Sequence, residues 1–182
     1  EERDLIVALP DNPEAFRTLY RHYFPRIFAY VAYRVGRRQD AEDVTADIFM
    51  RVIEKIGQFE YRGDGSFAAW LFRIAYNQIQ QFYRQTNKET VIMLDDIPEI
   101  KSNQILPDEA IVRKEQFERL HEMIASLSPR RQEVISLKFF AELRNKEIAE
   151  VLGLDERSVA SHLSRGLDDL QKKYQQKSIA YE

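Results

Sequence analysis

Apolar residues recur along this chain at intervals of three and four, the spacing that lines one face of an α-helix. No run alternates apolar and polar positions between hairpin turns, so the pattern predicts an all-α protein. Phe16, Leu19, Tyr20 and Phe24 share one helical face; Pro25 interrupts it, and Ile27, Tyr30, Val31 and Val35 resume it up to Gly36. Proline has no amide to donate, so a kink or break is expected there. The next stripe is Val44, Ile48, Phe49, Val52, Ile53 and Ile56, with Asp40 as the expected N-cap and Gly57 as the stop.

Ser66 is the expected cap of a third helix whose core side is Phe67, Trp70, Leu71, Ile74, Ile79 and Phe82. Periodicity is then lost over 86–107, which carries Pro98 and Pro107 and reads as a flexible acidic linker. Ile111, Phe117, Leu120 and Ile124 begin a second helical block. In "LSPRRQEVISLKFF" Ser128 is the N-cap and Pro129 takes the first helical position, where its missing amide costs nothing. Ile148, Ala149, Val151 and Leu152 face inward, Gly153 permits a tight turn, Asp155 caps a new helix, and Val159, Leu163, Leu167 and Leu170 pack it. Two helices joined by so short a glycine-containing turn predict a helix-turn-helix, with a plain αα-hairpin as the alternative. The organisation expected is two small helical domains, 11–85 and 108–178, joined by the linker 86–107.

Composition narrows the chemistry. At 182 residues and 44% hydrophobic the chain has enough material for one domain or two small ones. It has no cysteine, and His22, His121 and His162 are too far apart to pair at helical spacing, so no disulfide, metal centre or cofactor is expected. Apolar runs fall far short of the roughly 20 residues that span a bilayer, and no segment resembles a signal peptide. The start at Glu1 reads as a trimmed chain, and the whole as a soluble, cytoplasmic protein without membrane insertion. The carboxylates are scattered, with no nucleophile beside a base and no phosphate-cradling glycine loop; nothing points to an enzyme or to catalytic residues.

The net charge of −3 at first opposes a nucleic-acid partner, which needs a basic surface. Its distribution changes the picture. Residues 86–110 hold two basic against six acidic side chains, whereas 11–85 hold 11 against 9 and 129–178 hold 10 against 8. Within the first block, the helix carrying Tyr76, Asn77, Gln80 and Gln81 presents an uncharged, amide-rich strip suited to stacking on and hydrogen-bonding unpaired bases. The second helix of the helix-turn-helix presents Arg157, Ser158, Ser161, His162 and Arg165, a mixture suited to phosphates and major-groove base edges.

In order, "DAEDVTADIFMRVIEKIGQF", "YRGDGSFAAWLFRIAYNQIQQFYR", the acidic linker, "LSPRRQEVISLKFF" and "NKEIAEVLGLDERSVASHLSRGLDDLQ" resemble the extracytoplasmic-function sigma factors of bacterial RNA polymerase, over about Phe16 to Tyr174. The resemblance implies a promoter-recognition subunit. Its first domain would dock on the β′ clamp coiled coil of core RNA polymerase and melt and read the minus-10 promoter element. Its second would read the minus-35 element as duplex and meet the β flap. Asp43, Asp47, Phe49 and Arg51 match the clamp-binding motif. Arg62, Gly63, Asp64, Ser66, Phe67, Trp70, Arg73, Tyr76, Asn77 and Gln80 fall on the minus-10 loop and helix. Arg157, Ser158, Ser161, His162 and Arg165 fall at minus-35 reading positions. An anti-sigma factor, in some cases held at the membrane, is the regulatory partner the family implies.

The chain departs from the family pattern at Ala46, where glutamine is usual, and at Gln81, where aspartate is frequent. In the reading helix Ala160 replaces a common lysine and His162 an arginine, and Asp168 and Asp169 stand where basic residues are frequent. The alternative reading is therefore a sigma mimic that binds an anti-sigma factor without reading DNA.

Overall fold

The computed structural model describes residues 2–9, 12–86 and 119–179, and among them every regular element is helical. The expected linker falls on residues outside that description, apart from Thr86. The elements are α1 (Glu2–Ala8), α2 (Pro13–Val35), α3 (Arg38–Lys55), a 3₁₀ turn (Ile56–Gln58), α4 (Ser66–Thr86), α5 (119–125), α6 (Pro129–Phe139), α7 (Asn145–Leu152) and α8 (Glu156–Ile179).

Local chemistry explains most boundaries. Asn12 caps α2 by accepting from the Glu14 amide at 3.0 Å, and Gly36, at φ 79°, ends it. Pro25 neither ends nor splits this helix, so of the expected kink or break the break is absent, and α2 runs unbroken through 23 residues. A missing backbone hydrogen bond at one exposed turn is outweighed by the burial of Tyr23, Ile27, Tyr30 and Val31 along the same helix, each large side chain worth roughly 1.5–3 kcal/mol. Two expected caps are displaced. Arg37 occupies the N-cap of α3 and Asp40 lies inside its first turn, where a negative charge still suits the helix dipole. Ser66 is the first residue of α4, and its hydroxyl accepts from the Arg62 amide at 3.1 Å, fastening the preceding loop. Ser128, Pro129, Gly153 and Asp155 take the positions expected of them.

α1, which no sequence pattern announced, lays Ile6 and Leu9 against α2. α2, α3 and α4 pack on one another, as do α6, α7 and α8. The two groups do not stand apart. α4 packs along α7 and α2 touches α6, so one continuous core joins Ile27, Tyr30, Ile48, Leu71, Phe72 and Ile79 to Val134, Leu137, Ile148 and Val159. A smaller cluster forms where Tyr33 of α2 enters the second group beside Ile124, Leu127 and Ile135 and stacks on Phe140 at 4.2 Å.

Candidate nucleic-acid interface and partner face

On α3 the i, i+4, i+8 spacing places Asp43, Asp47 and Arg51 on one side, and all three are exposed. Arg51 leans on Glu54 at 3.7 Å, and the apolar Met50 and Ile53 stand exposed beside them. An open cleft of about 300 Å³ separates this face from the Gln78, Gln81 and Gln85 side of α4. Phe49 is not part of it. Its ring is buried and packs on Tyr20 at 4.6 Å and on Phe24 at 6.2 Å, so it supports α3 from inside.

The loop before α4 is built for sharp reversal. Gly63 and Gly65 adopt φ of 106° and 83°, a region that side chains with a Cβ rarely enter. Asp64 accepts from the Tyr61 hydroxyl at 2.9 Å, Arg62 pairs with Glu60 at 3.2 Å in full solvent, and Ser66 ties the two ends of the turn through the Arg62 amide. Along α4 the predicted residues divide. Arg73 and Asn77 are exposed, while Trp70, Tyr76 and Gln80 are half-buried with part of each side chain facing out. Phe67 is buried among Tyr23, Phe59 and Trp70 and anchors the N-terminal turn that carries the loop. Trp70 rests on Phe59 at 5.0 Å, so its indole is held in place rather than free to swing.

On α8, Arg157, Ser161 and Arg165 are exposed and His162 is half-buried. Ser158 is already engaged: its amide donates to Asp155 Oδ1 at 2.8 Å and its hydroxyl to Oδ2 at 2.6 Å. Those two hydrogen bonds hold the Asp155 carboxyl below the usual range, and they make Ser158 part of the cap. Asp169 is paired with Arg131 of α6, which removes part of the acidity expected on this helix. Val159 is buried and Leu163 and Leu170 half-buried, but Leu167, expected in the core stripe, is exposed.

Between the two helical groups lies a polar cluster that the sequence did not announce. Arg34 of α2 meets Glu133 of α6, Nη2 to Oε1 at 2.7 Å, and the Tyr30 hydroxyl donates to the other carboxylate oxygen at 3.2 Å. Burial raises the Glu133 carboxyl above its ordinary value, opposed by Arg34 and by the Tyr30 hydrogen bond. Burial also works against the Arg34 charge, but Glu133 and the surrounding tyrosines outweigh it and raise the guanidinium pKa. Tyr30, Tyr33 and Tyr83 are all shifted upward, chiefly by burial, and remain neutral phenols. The Tyr83 hydroxyl donates to the Arg34 carbonyl. Nearby, Arg26 lies over the rings of Tyr23 and Phe72 and donates to the carbonyls of Ala141, at 2.9 Å, and Glu142, at 3.4 Å. Arg144 clasps Glu147 and donates to the carbonyl of Asp64 at 3.2 Å, so the glycine loop itself is held by the start of α7. Among the described residues, no group of three or more histidines or carboxylates is placed to hold a metal ion, and no helix is long and apolar enough to cross a membrane.

The family model for sigma-70 region 2 matches residues 19–89, and that for sigma-70, region 4 matches 117–170, well over half the chain between them. The chain is 28% identical over 152 residues to the ECF RNA polymerase sigma factor BldN of Streptomyces coelicolor, a match that covers 84% of this chain and 57% of that protein. It is 29% identical over 166 residues to the RNA polymerase sigma factor YlaC of Bacillus subtilis, covering 87% of this chain and 91% of that one. Two solved structures share the fold. CnrH in complex with the cytosolic domain of CnrY superimposes with a TM-score of 0.72 at 22% identity, over 96% of this chain and 97% of that one. The sigma factor RpoE in complex with the anti-sigma factor NepR from Bartonella quintana gives 0.62 at 21% identity, over 86% and 94%.

Proposed function

Because the chain belongs to the sigma-70 family as an extracytoplasmic-function sigma factor, with region 2 ahead of region 4, we propose that it directs core RNA polymerase to specific promoters and opens them. Residues 11–85 bind the polymerase clamp and melt the minus-10 element, 86–107 connect, and 108–178 read the minus-35 element and meet the β flap. The chemistry of bond formation belongs to the polymerase, and this chain supplies recognition and strand opening. It works in the cytoplasm.

The observation that carries this reading is the face of α4. Exposed Asn77 and Arg73 stand beside the partly open rings of Trp70 and Tyr76 and the amide of Gln80, immediately behind a two-glycine loop. An extruded base costs a few kcal/mol to unstack, and a pocket that returns this energy needs aromatic faces, amides and a loop able to close. The duplex is read by Arg157, Ser161, His162 and Arg165 in the major groove, with Ser158 keeping the helix start in register. On α3, Asp43 and Asp47 attract a basic partner face, and Arg51 adds a donor at its edge.

The partner named in the structural neighbours supports a regulator of the same kind. RpoE of Bartonella quintana is bound to an anti-sigma factor, and this chain, sharing that fold, is expected to be sequestered by one as well. A sigma mimic that binds such a factor without reading DNA remains the second reading, favoured by the exposed Asp168 on α8 and by the engaged Ser158. In vitro transcription with core polymerase separates them. Promoter-dependent transcripts support the first reading; an anti-sigma complex with no transcript from any template establishes the second.

A further inference from the structure

Asp64 stands between Gly63 and Gly65, both at positive φ, on the exposed part of the loop that leads into α4. Glycine gives up more conformational freedom on ordering than any other residue, so a loop turned by two of them can close on a base but is costly to hold in one shape. A loop that samples many shapes meets that cost at the moment of capture. One already held in the receiving shape does not.

Local bonds close the ends of this loop: the Ser66 amide donates to the Gly63 carbonyl at 3.1 Å, and the Arg62 amide donates to the Ser66 hydroxyl at 3.1 Å. The Asp64 side chain is held differently. The Tyr61 hydroxyl donates to its Oδ1 at 2.9 Å, reaching across the turn at Gly63. The ring that carries this hydroxyl is itself fixed. It is half-buried against the core, two residues after Phe59, whose ring meets those of Phe67 at 5.5 Å and Trp70 at 5.0 Å. The guanidinium of Arg3, from α1, lies over the Tyr61 ring at 5.8 Å.

A role confined to filling the edge of the core accounts for the Tyr61 ring but not for its hydroxyl, since phenylalanine would pack there equally well. The hydroxyl adds one bond, to an ionised acceptor that strengthens it, on the residue flanked by the two glycines. Resting on the strand-opening reading above, we propose that Tyr61 is a positioning residue for base capture: its hydroxyl holds Asp64, and with it the glycine loop, in the shape that receives an extruded base, while Arg3 of α1 backs the ring. Tyr61 need not touch DNA to do this. It acts before the base arrives, by removing loop shapes that cannot receive one, so its effect is read in affinity for unpaired DNA and not in the stability of the fold. The same chain of contacts gives α1 a part in strand opening, at one remove from the DNA.

The test uses the full chain assembled with core polymerase. The probe is the single strand of about 12 nucleotides that this assembly enriches most strongly from a random-sequence pool. Tyr61→Phe is expected to bind the probe about fivefold more weakly, the net effect of one hydrogen bond. Its salt dependence is expected to match the parent's, because no phosphate contact is lost, and its unfolding midpoint and affinity for core polymerase are expected to be unchanged. Asp64→Ala is expected to lose at least as much, and adding Tyr61→Phe to it is expected to cost nothing further, since both remove the same bond. Arg3→Ala is expected to show a smaller loss of the same kind. The Arg144 contact survives in all of these variants, because it is made to the Asp64 carbonyl. Tyr61→Phe that binds the probe as the parent does overturns the proposal. So does a loss from Tyr61→Phe that is equally large with Asp64→Ala already in place, which makes Tyr61 a direct contact instead. A parent assembly that enriches no strand from the pool overturns the strand-opening reading, so the two failures are distinguishable.

Discussion

Arg34 of α2 and Glu133 of α6, residues from opposite halves of the chain, meet at 2.7 Å with each side chain less than a tenth exposed. A charged pair this dry contributes little net stability, because desolvation offsets most of the attraction, but it dictates which face of one half the other must meet. That relationship separates two kinds of residue in this protein: those that join the two halves, and the exposed ones proposed to contact DNA or polymerase.

Asp43→Lys with Asp47→Lys is expected to weaken binding to core polymerase while leaving the unfolding midpoint unchanged. Both side chains are exposed on α3, where each lost attraction is worth about 0.2–1 kcal/mol and a reversed charge somewhat more. The loss is expected to shrink as salt is raised, since exposed charges are screened. Equal affinity for both proteins at low salt rules out the clamp assignment.

Phe49→Ala is expected to act on stability instead. The ring fills space between Tyr20 and Phe24, and its removal from such a site costs about 3–5 kcal/mol. Urea unfolding measures this directly. A variant as stable as the parent, with weakened polymerase binding, returns Phe49 to the contact surface.

Asn77→Ala is expected to impair promoter opening more than initial binding, because its amide contributes only after a base has left the stack. A template already unpaired across the minus-10 element is expected to recover part of the transcription. Comparing duplex and pre-opened templates at fixed salt makes the check; identical transcription by variant and parent on both reduces α4 to a scaffold helix.

His121 predicts an acid sensitivity. Burial lowers its pKa below the ordinary value of about 6.5, with Glu122 opposing in part, and its ring lies 4.9 Å from that of Tyr33 where the halves meet. The unfolded chain then binds the proton more readily than the folded one. The contribution of His121 is complete above pH 6.5 and is lost as pH falls from there through the folded value. His121→Leu is expected to lower the difference between melting temperatures measured at pH 7.5 and pH 5. An unchanged difference removes His121 as its source.

The helices were legible because their signals are local. The stripes of α2, α4 and α7, the proline at the start of α6 and the glycines after α2 and α7 each act within a few residues of where they stand. α1 was missed because seven residues give too few turns for a period to register. Phe49 and Phe67 carry two sequence signals at once: both sit on apolar stripes, which reads as core, and in a family motif, which reads as contact, and their burial bears out the stripe. Arg34 and Glu133 were illegible for a different reason. A long-range ion pair leaves no mark on the periodicity of either helix, and each residue alone looks like one more charge on a solvated face.

The shared core has a consequence for how the protein is made. α4 is complete at Thr86, but α7, which packs along it, begins only at Asn145. At about 5–20 residues per second of synthesis, the nascent first half waits on the order of several seconds with that apolar face uncovered. During that interval the growing chain is exposed to chaperones, to aggregation and to any regulator able to bind the uncovered face before the second half leaves the ribosome.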